Sequence, residues 1–393
     1  VVSRFGVLDW ITTGLVVVGA GCVLTGALPL ADLRTTGDRV LPLLLFLATV
    51  IVLAELTAEA QVFDVIAARL AIVARGNYLA LFLLTVLFAA VTTAALNLDT
   101  AAVLLTPVML ATARRAGIDL MPLAMTTVWL ANTASLLLPV SNLTNLLAAD
   151  RVGLSAGAFA VRMAVPELAA VAATTACLWL FYWRRGQREH DRYEPPEPHA
   201  PEDRVLFAVA GVAVAGFLVG VLAGVPLEFA SSACAAVLVL AFLVRARGHL
   251  KASLIPWQLL FFVVGLFVVV ETVSRSGLGE LAGRLVGTDD GAVGVLRAAW
   301  TGAGLSNAVN NLPAYLVAES AIPEADHDRL LGLLVGTNVA PLITPWASLA
   351  TLLWAERCLS NGVRIKWSRF IRTGAVTAVV TLTAASLALV LTR

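Results

Sequence analysis

Nine stretches of this chain, near 6–28, 39–57, 122–148, 156–183, 205–223, 226–247, 256–274, 328–354 and 368–392, are apolar over lengths that match a bilayer at ~1.5 Å per residue. In lipid every backbone N–H and C=O must be satisfied inside the protein, which restricts such segments to helices. The expectation is an all-α polytopic membrane protein. Composition agrees: 59% of residues are hydrophobic and 13% charged, with mean hydropathy +0.89, spread along the whole length rather than held in one anchor. The first run is too long for a secretory signal and is followed by many others, so it reads as a mature helix.

Two further apolar segments, 78–113 and 293–320, are interrupted in the middle by "LNLDT" at 96–100 and "SNAVNN" at 306–311. They read as re-entrant hairpins, because irregular backbone survives at membrane depth only where protein or a water cavity covers it. Ahead of each hairpin lies an amphipathic stretch, 58–73 with Glu59, Asp64 and Arg69, and 274–287 with Arg275, Glu280 and Arg284. Both suit helices lying at the interface. The one long polar segment, 184–204, is rich in charge and proline and is expected to be a loosely ordered linker.

That linker separates two related halves. "PVSNLTNLLAADR" at 139–151 reappears as "PWASLATLLWAER" at 345–357, so that Asn132 falls on Asn338, Pro139 on Pro345, Leu143 on Leu349 and Arg151 on Arg357. Upstream, Glu55 falls on Glu271 and Asp64 on Glu280. The expected organisation is an N-terminal repeat over 1–183, the linker, and a C-terminal repeat over 205–393. An odd number of crossings between equivalent helices makes the repeat inverted, the plan of secondary transporters whose site lies at the midplane between discontinuous helices. The span 205–223 has no counterpart before residue 6, so either the first half lacks a helix or the natural start lies upstream of Val1. Most of the 27 Lys and Arg residues fall on the face bearing 184–204. That face is expected to be cytoplasmic in a plasma or inner membrane, with the C-terminus external.

The broken segments nominate the site. Pro139 interrupts "ANTASLLLPVSNLTN" at 131–145, and Pro341 and Pro345 interrupt "TNVAPLITPWASLAT" at 337–351. Together with the hairpin tips they give fifteen candidate substrate- or ion-binding residues: Asn97, Asp99, Thr100, Asn132, Ser135, Ser141, Asn142, Asn145, Ser306, Asn307, Asn310, Asn311, Asn338, Thr344 and Ser348. Asp99 is read as the proton-coupling group, since an acid deep in an apolar segment is costly unless it serves an ion, proton or substrate. Isolated polar residues such as Thr174 read as helix-packing groups. Glu55 and Glu271 read as snorkelling, and Trp346 as bordering the pocket. His190, His199, His249 and His327 lie in polar loops.

These motifs resemble the ArsB-type arsenite efflux permeases of the ion transporter superfamily. The resemblance is densest in "TASLLLPVSNLTNLLAAD" (133–150), "VNNLPAYLV" (309–317) and "ITPWASLATLLW" (343–354), and continues through "PWQLLFFVVGLF" (256–267) and "WSRFIRTG" (367–374). It implies a carrier exporting arsenite or antimonite, with protons as the exchanged ion, a soluble ATPase subunit as a candidate partner and a homodimer as a candidate assembly. The chain departs from the family pattern where that pattern has Asn-Asp-Gly and this sequence has Leu98-Asp99-Thr100. Asn132 and Asn338 stand where the pattern has acids, and Leu342 where it has Lys. Asp99 is then the one clear carboxylate expected at the centre.

The alternative on the same scaffold is a sodium-coupled anion or dicarboxylate transporter, or a sodium/proton antiporter. Against the anion carrier, the tips lack a Ser-Asn-Thr run. An intramembrane enzyme is disfavoured because the chain has no H-E-x-x-H and no embedded His. A net charge of +1 gives no case for nucleic acid. Cys22, Cys177, Cys234 and Cys358 have no metal-ligand spacing, and no cofactor or resident metal is called for.

Overall fold

The computed structural model describes residues 7–26, 28–184, 192–273 and 279–392. The first half runs α1 (Val7–Leu24), α2 (Leu30–Glu59), α3 (Val62–Val73), α4 (Tyr78–Leu96), α5 (Leu98–Arg115), α6 (Leu120–Thr133), α7 (Leu143–Arg151) and α8 (Ala156–Leu178), the last prolonged by a wider turn, Trp179–Trp183. After α9 (Arg204–Leu222), the same order of elements recurs as α10 (Leu227–Arg245), α11 (Trp257–Val273), α12 (Gly279–Val286), α13 (Gly291–Ala308), α14 (Asn311–Glu319), α15 (His327–Val339), α16 (Leu349–Ser360) and α17 (Trp367–Leu391). Part of the expected amphipathic stretch 274–287, including Arg275, lies outside the described residues, as do 185–191 of the linker with His190.

Among the described residues, seven helices are long and apolar enough to cross a membrane. They include Tyr78–Leu96, the first arm of the first expected hairpin. The expected spans 122–148 and 328–354 are absent from that set because each is two short helices with an irregular middle. Helices α9 and α10 expose Val212, Val219, Leu240 and Val244 at 73%, 66%, 62% and 82%. An apolar belt of this kind is at rest only against acyl chains.

The halves exchange partners: α1 packs on α11 and α10 on α2, while α8 packs along α17. Helices α13 and α15 meet through small residues, with Gly302 against Leu333 and with Gly332 and Gly336 against the carbonyls of Val295 and Ala299. Gly332 and Gly336 are a G-x-x-x-G pair, which lets two backbones approach closely in lipid.

The linker differs from its expected looseness where it is described. Tyr193 is 6% exposed; its hydroxyl donates to the Ala71 carbonyl, its N–H to Gly76, and its ring meets Tyr78 edge-on at 5.6 Å. Glu202 N–H donates to Gln61 Oε1, and Asp203 caps α9 while pairing with Arg245 at 2.6 Å. One aromatic anchor and two polar ties hold this proline-rich strap across the α3–α4 corner. The Arg245 guanidinium hydrogen bond holds the Asp203 carboxyl below its ordinary range.

Candidate functional site

Two helix pairs are separated by very short breaks, Asn97 alone between α4 and α5, and Val309 and Asn310 between α13 and α14. Their backbones, φ 112 and ψ 148 for Asn97 and φ 142 and ψ 155 for Asn310, lie in a region that glycine occupies almost alone and that costs ~1–3 kcal/mol elsewhere. Local bonds offset the strain. Asn97 accepts from the Asp99 N–H at 2.9 Å. Asn310 accepts from Leu312 N–H at 3.3 Å and donates to the Trp346 carbonyl at 2.9 Å. The same unusual turn at equivalent points of both halves argues for a shared purpose.

The broken helices repeat in the same way. Helix α6 stops at Thr133 and α15 at Val339, while α7 starts at Leu143 and α16 at Leu349. Asn142 caps α7 by accepting from Thr144 N–H, and Ser348 caps α16 by accepting from Thr351 N–H.

All four of these capped ends converge. A cavity of about 30 Å³ is lined by Asn97, Leu98 and Asp99 at the start of α5, Asn142 and Leu143 at the start of α7, Asn310, Asn311 and Leu312 at the start of α14, and Leu349 at the start of α16. Leu47, Leu259, Phe262 and Val263 close it. Space of this size holds about two water-sized groups. Four helix N-termini place their partial positive charges and leftover N–H donors around it. Two polar atoms at its wall are buried without a hydrogen-bond partner among the described residues: Asp99 Oδ1 and Asn142 Nδ2. The Asp99 carboxylate also receives the Ala350 backbone N–H of α16. The arrangement suits a small solute with several oxygens, able to accept from amides and to donate one hydroxyl to Asp99.

Of the residues nominated by sequence, Asn97, Asp99, Asn142, Asn310 and Asn311 line this cavity. The others sit behind it. Asn338 donates to Asn145 Oδ1 at 2.7 Å and accepts from the Thr144 hydroxyl at 2.7 Å. Asn145 donates to the carbonyls of Ser135 and Leu138 at 2.6 and 2.9 Å. This buried knot ties one break to the other. Ser135 donates to the Asn132 carbonyl, and Asn132 to that of Val128. Ser141 donates to the Ala94 carbonyl beside the first tip. In the second half Asn307 threads the break, donating to Ala340 O and accepting from Ile343 and Thr344 N–H, while the Thr344 hydroxyl returns to Asn307 O. Ser306 donates one turn back to Ala303, and the Thr100 hydroxyl is buried in α5 without a partner among the described residues.

One residue escapes the sequence reading. Glu167, in the middle of α8 and 5% exposed, accepts from the Leu136 backbone N–H inside the first break at 2.9 Å. Asp99 is therefore not the sole buried carboxylate of the core. The signal available was an acid directly after Pro166 within an apolar span.

Trp346 borders a second, apolar chamber of about 380 Å³ that shares Phe262, Asn310 and Leu349 with the polar cavity. The indole N–H donates to Ala308 O at 3.2 Å.

A family profile described as citrate transporter (CitMHS) matches residues 5–351. The chain belongs to this family. Among its relatives are proteins named arsenical pump membrane protein. One from Escherichia coli is 32% identical over 83% of this chain and 81% of that protein, and one from Yersinia enterocolitica is 31% identical over 90% and 87%. The fold is similar to the crystal structure of the Alcanivorax borkumensis YdaH transporter, reported as having an unusual topology, with TM-score 0.58 and 14% identity over 98% of this chain and 97% of that one. Family membership and the apolar helices make this a multi-pass membrane transporter. The ArsB resemblance of its motifs agrees with the names of these relatives.

Proposed function

We propose that this transporter exports arsenite or antimonite by proton antiport with alternating access, and that Asp99 is the coupling group. The observation that carries this reading is the small cavity where four helix N-termini, an unpartnered Asn142 amide and one unpartnered Asp99 oxygen face the same space. A neutral trihydroxy species offers three oxygens to the amides and N-termini and a hydroxyl hydrogen to Asp99. Deprotonated Asp99 would favour one access state and protonated Asp99 the other, which couples the proton to the cargo. Each half is taken as one inverted repeat, with the hairpin and broken-helix bundle of both halves moving against the remaining helices. The strap face, with Arg75, Arg114 and Arg245, is taken as cytoplasmic, the C-terminus as external and the membrane as the plasma membrane. A soluble ATPase subunit and a second copy are further candidate partners.

The match to a citrate-transporter family and the converging N-termini favour a second reading, a sodium-coupled carboxylate carrier. Everted vesicles containing the protein decide between them. Arsenite accumulation driven by a proton gradient without sodium, lost in Asp99→Asn with binding retained, is the expected result. Sodium-dependent uptake of carboxylate, or pumping by Asp99→Asn, overturns the proposal.

A further inference from the structure

Two carboxylates of the core, Asp99 and Glu167, make the same kind of bond. Asp99 receives the Ala350 N–H of one broken helix, and Glu167 receives the Leu136 N–H between α6 and α7 of the other. Glu167 does so with no cation beside it among the described residues. Arg162, one and a half turns earlier on α8, is engaged by Asp328 and the Thr392 carbonyl. On α17, Arg369 bonds to Phe181 O and Arg372 to Ser368 O at the far end of the α8–α17 pair, beside Tyr182. Helix α6 and the Pro139–Ser141 turn carry no ionisable side chain, Arg204 is the one charged residue of α9, and Cys177 lies nearly three turns further along α8. A packing role calls for an amide or hydroxyl at this position. A lone carboxylate in a low-dielectric interior is a costly choice unless it exchanges a proton.

The second half does the equivalent work without an acid. There the neutral Asn307 satisfies Ile343 and Thr344 N–H, and Gly374 of α17 lies against the Leu342 carbonyl. The contrast between a neutral clasp and an ionisable one is thus confined to the first break, which is tied through Asn145 to Asn338.

We propose that Glu167 is a second proton-exchanging group, a positioning residue that clasps the first break while ionised and loosens it on taking up a proton. The proposal rests on the reading of a proton-driven carrier. The step is a simple protonation: the carboxylate oxygen that accepts from Leu136 N–H gains a proton taken from water, and the bond to the amide weakens because the acceptor loses its charge. Two carboxylates on different helices then titrate per cycle, Asp99 at the cargo and Glu167 at the hinge of the helix that carries Asn142.

Hydrogen–deuterium exchange of the segment 134–138, read by mass spectrometry on the purified full chain without cargo and corrected for chemical exchange at each pH, tests the clasp directly. Protection of this segment is expected to fall severalfold from mildly alkaline to mildly acidic buffer in the wild type and in Asp99→Asn, and to be independent of pH in Glu167→Gln. Protection that does not vary with pH in the wild type, or that varies equally in Glu167→Gln, overturns the proposal. If Glu167→Gln does not fold, isotope-edited infrared spectra of the wild type with labelled glutamate take its place. A buried carboxyl band that converts between protonated and ionised forms over the same range, and that is missing from Glu167→Asp, supports the assignment, and its absence from the wild type or persistence in Glu167→Asp overturns it. No arsenite enters either measurement, so failure here is separable from failure of the cargo assignment.

Discussion

The knot between the breaks makes a quantitative prediction. Asn338 and Asn145 are 1% and 0% exposed and share one bond of 2.7 Å. Replacing Asn338 by Ala severs two short side-chain bonds, to Asn145 and Thr144, and a long one of 3.5 Å from Thr337. Replacing Asn145 by Ala severs three, to Asn338, Ser135 and Leu138. Hydrogen bonds between membrane helices average ~0.6 kcal/mol and reach ~1.7, so Asn338→Ala is expected to cost about 1–3 kcal/mol and Asn145→Ala about 2–5. The shared bond is lost only once in the double variant, whose cost should fall short of the sum by about 0.6–1.7 kcal/mol. Unfolding in mixed detergent micelles with increasing dodecyl sulfate, followed by tryptophan fluorescence, supplies all four stabilities. Additivity within ~0.3 kcal/mol would refute the knot and return both asparagines to the list of cargo ligands.

Three further outcomes are expected. Asn142→Ser retains a side-chain cap for α7 but removes the free amide from the cavity, so arsenite affinity measured by equilibrium binding should weaken about 2–10-fold with stability nearly unchanged; unaltered affinity would exclude Asn142 from the cargo's contacts. Gly336→Ala sets a Cβ against the Ala299 carbonyl and must part α13 from α15, an overpacking cost of about 1–3 kcal/mol that should appear as a lowered melting temperature. The Asp203–Arg245 tie should act above the ordinary carboxylate range and fade in acid. The native pKa is lowered, so its contribution is present above the unfolded value and is lost as pH falls through the native one. The melting temperatures of wild type and Asp203→Asn should then differ at neutral pH and converge in acid.

The breaks are legible in the sequence because proline and short polar residues cannot continue a helix in lipid without a purpose, and the matched ends at Thr133 and Val339, Leu143 and Leu349 follow from that chemistry. What the pattern cannot resolve is which way a polar residue turns. Asn142 and Asn145 stand three residues apart in one motif, yet one caps a helix at the cavity and the other faces Asn338. Glu167 is equally visible as an acid after a proline. Its assignment to the first break depends on how α8 packs against α6, and no local spacing encodes that. In the linker, charge and proline suggest looseness. One tyrosine reverses this, because a single buried ring fixes a strap that has no apolar run of its own.

The exchange of partners between halves bears on how the chain is made. Helix α2 rests on α10, which begins at Leu227, whereas α2 itself ends at Glu59. At ~5–20 residues per second of synthesis, the surface of α2 that α10 covers waits roughly ten to thirty seconds in the bilayer for its neighbour. Helix α1 waits still longer for α11. The N-terminal half is therefore an unfinished body when it leaves the ribosome, and its assembly is set by the arrival of helices that translation has yet to produce.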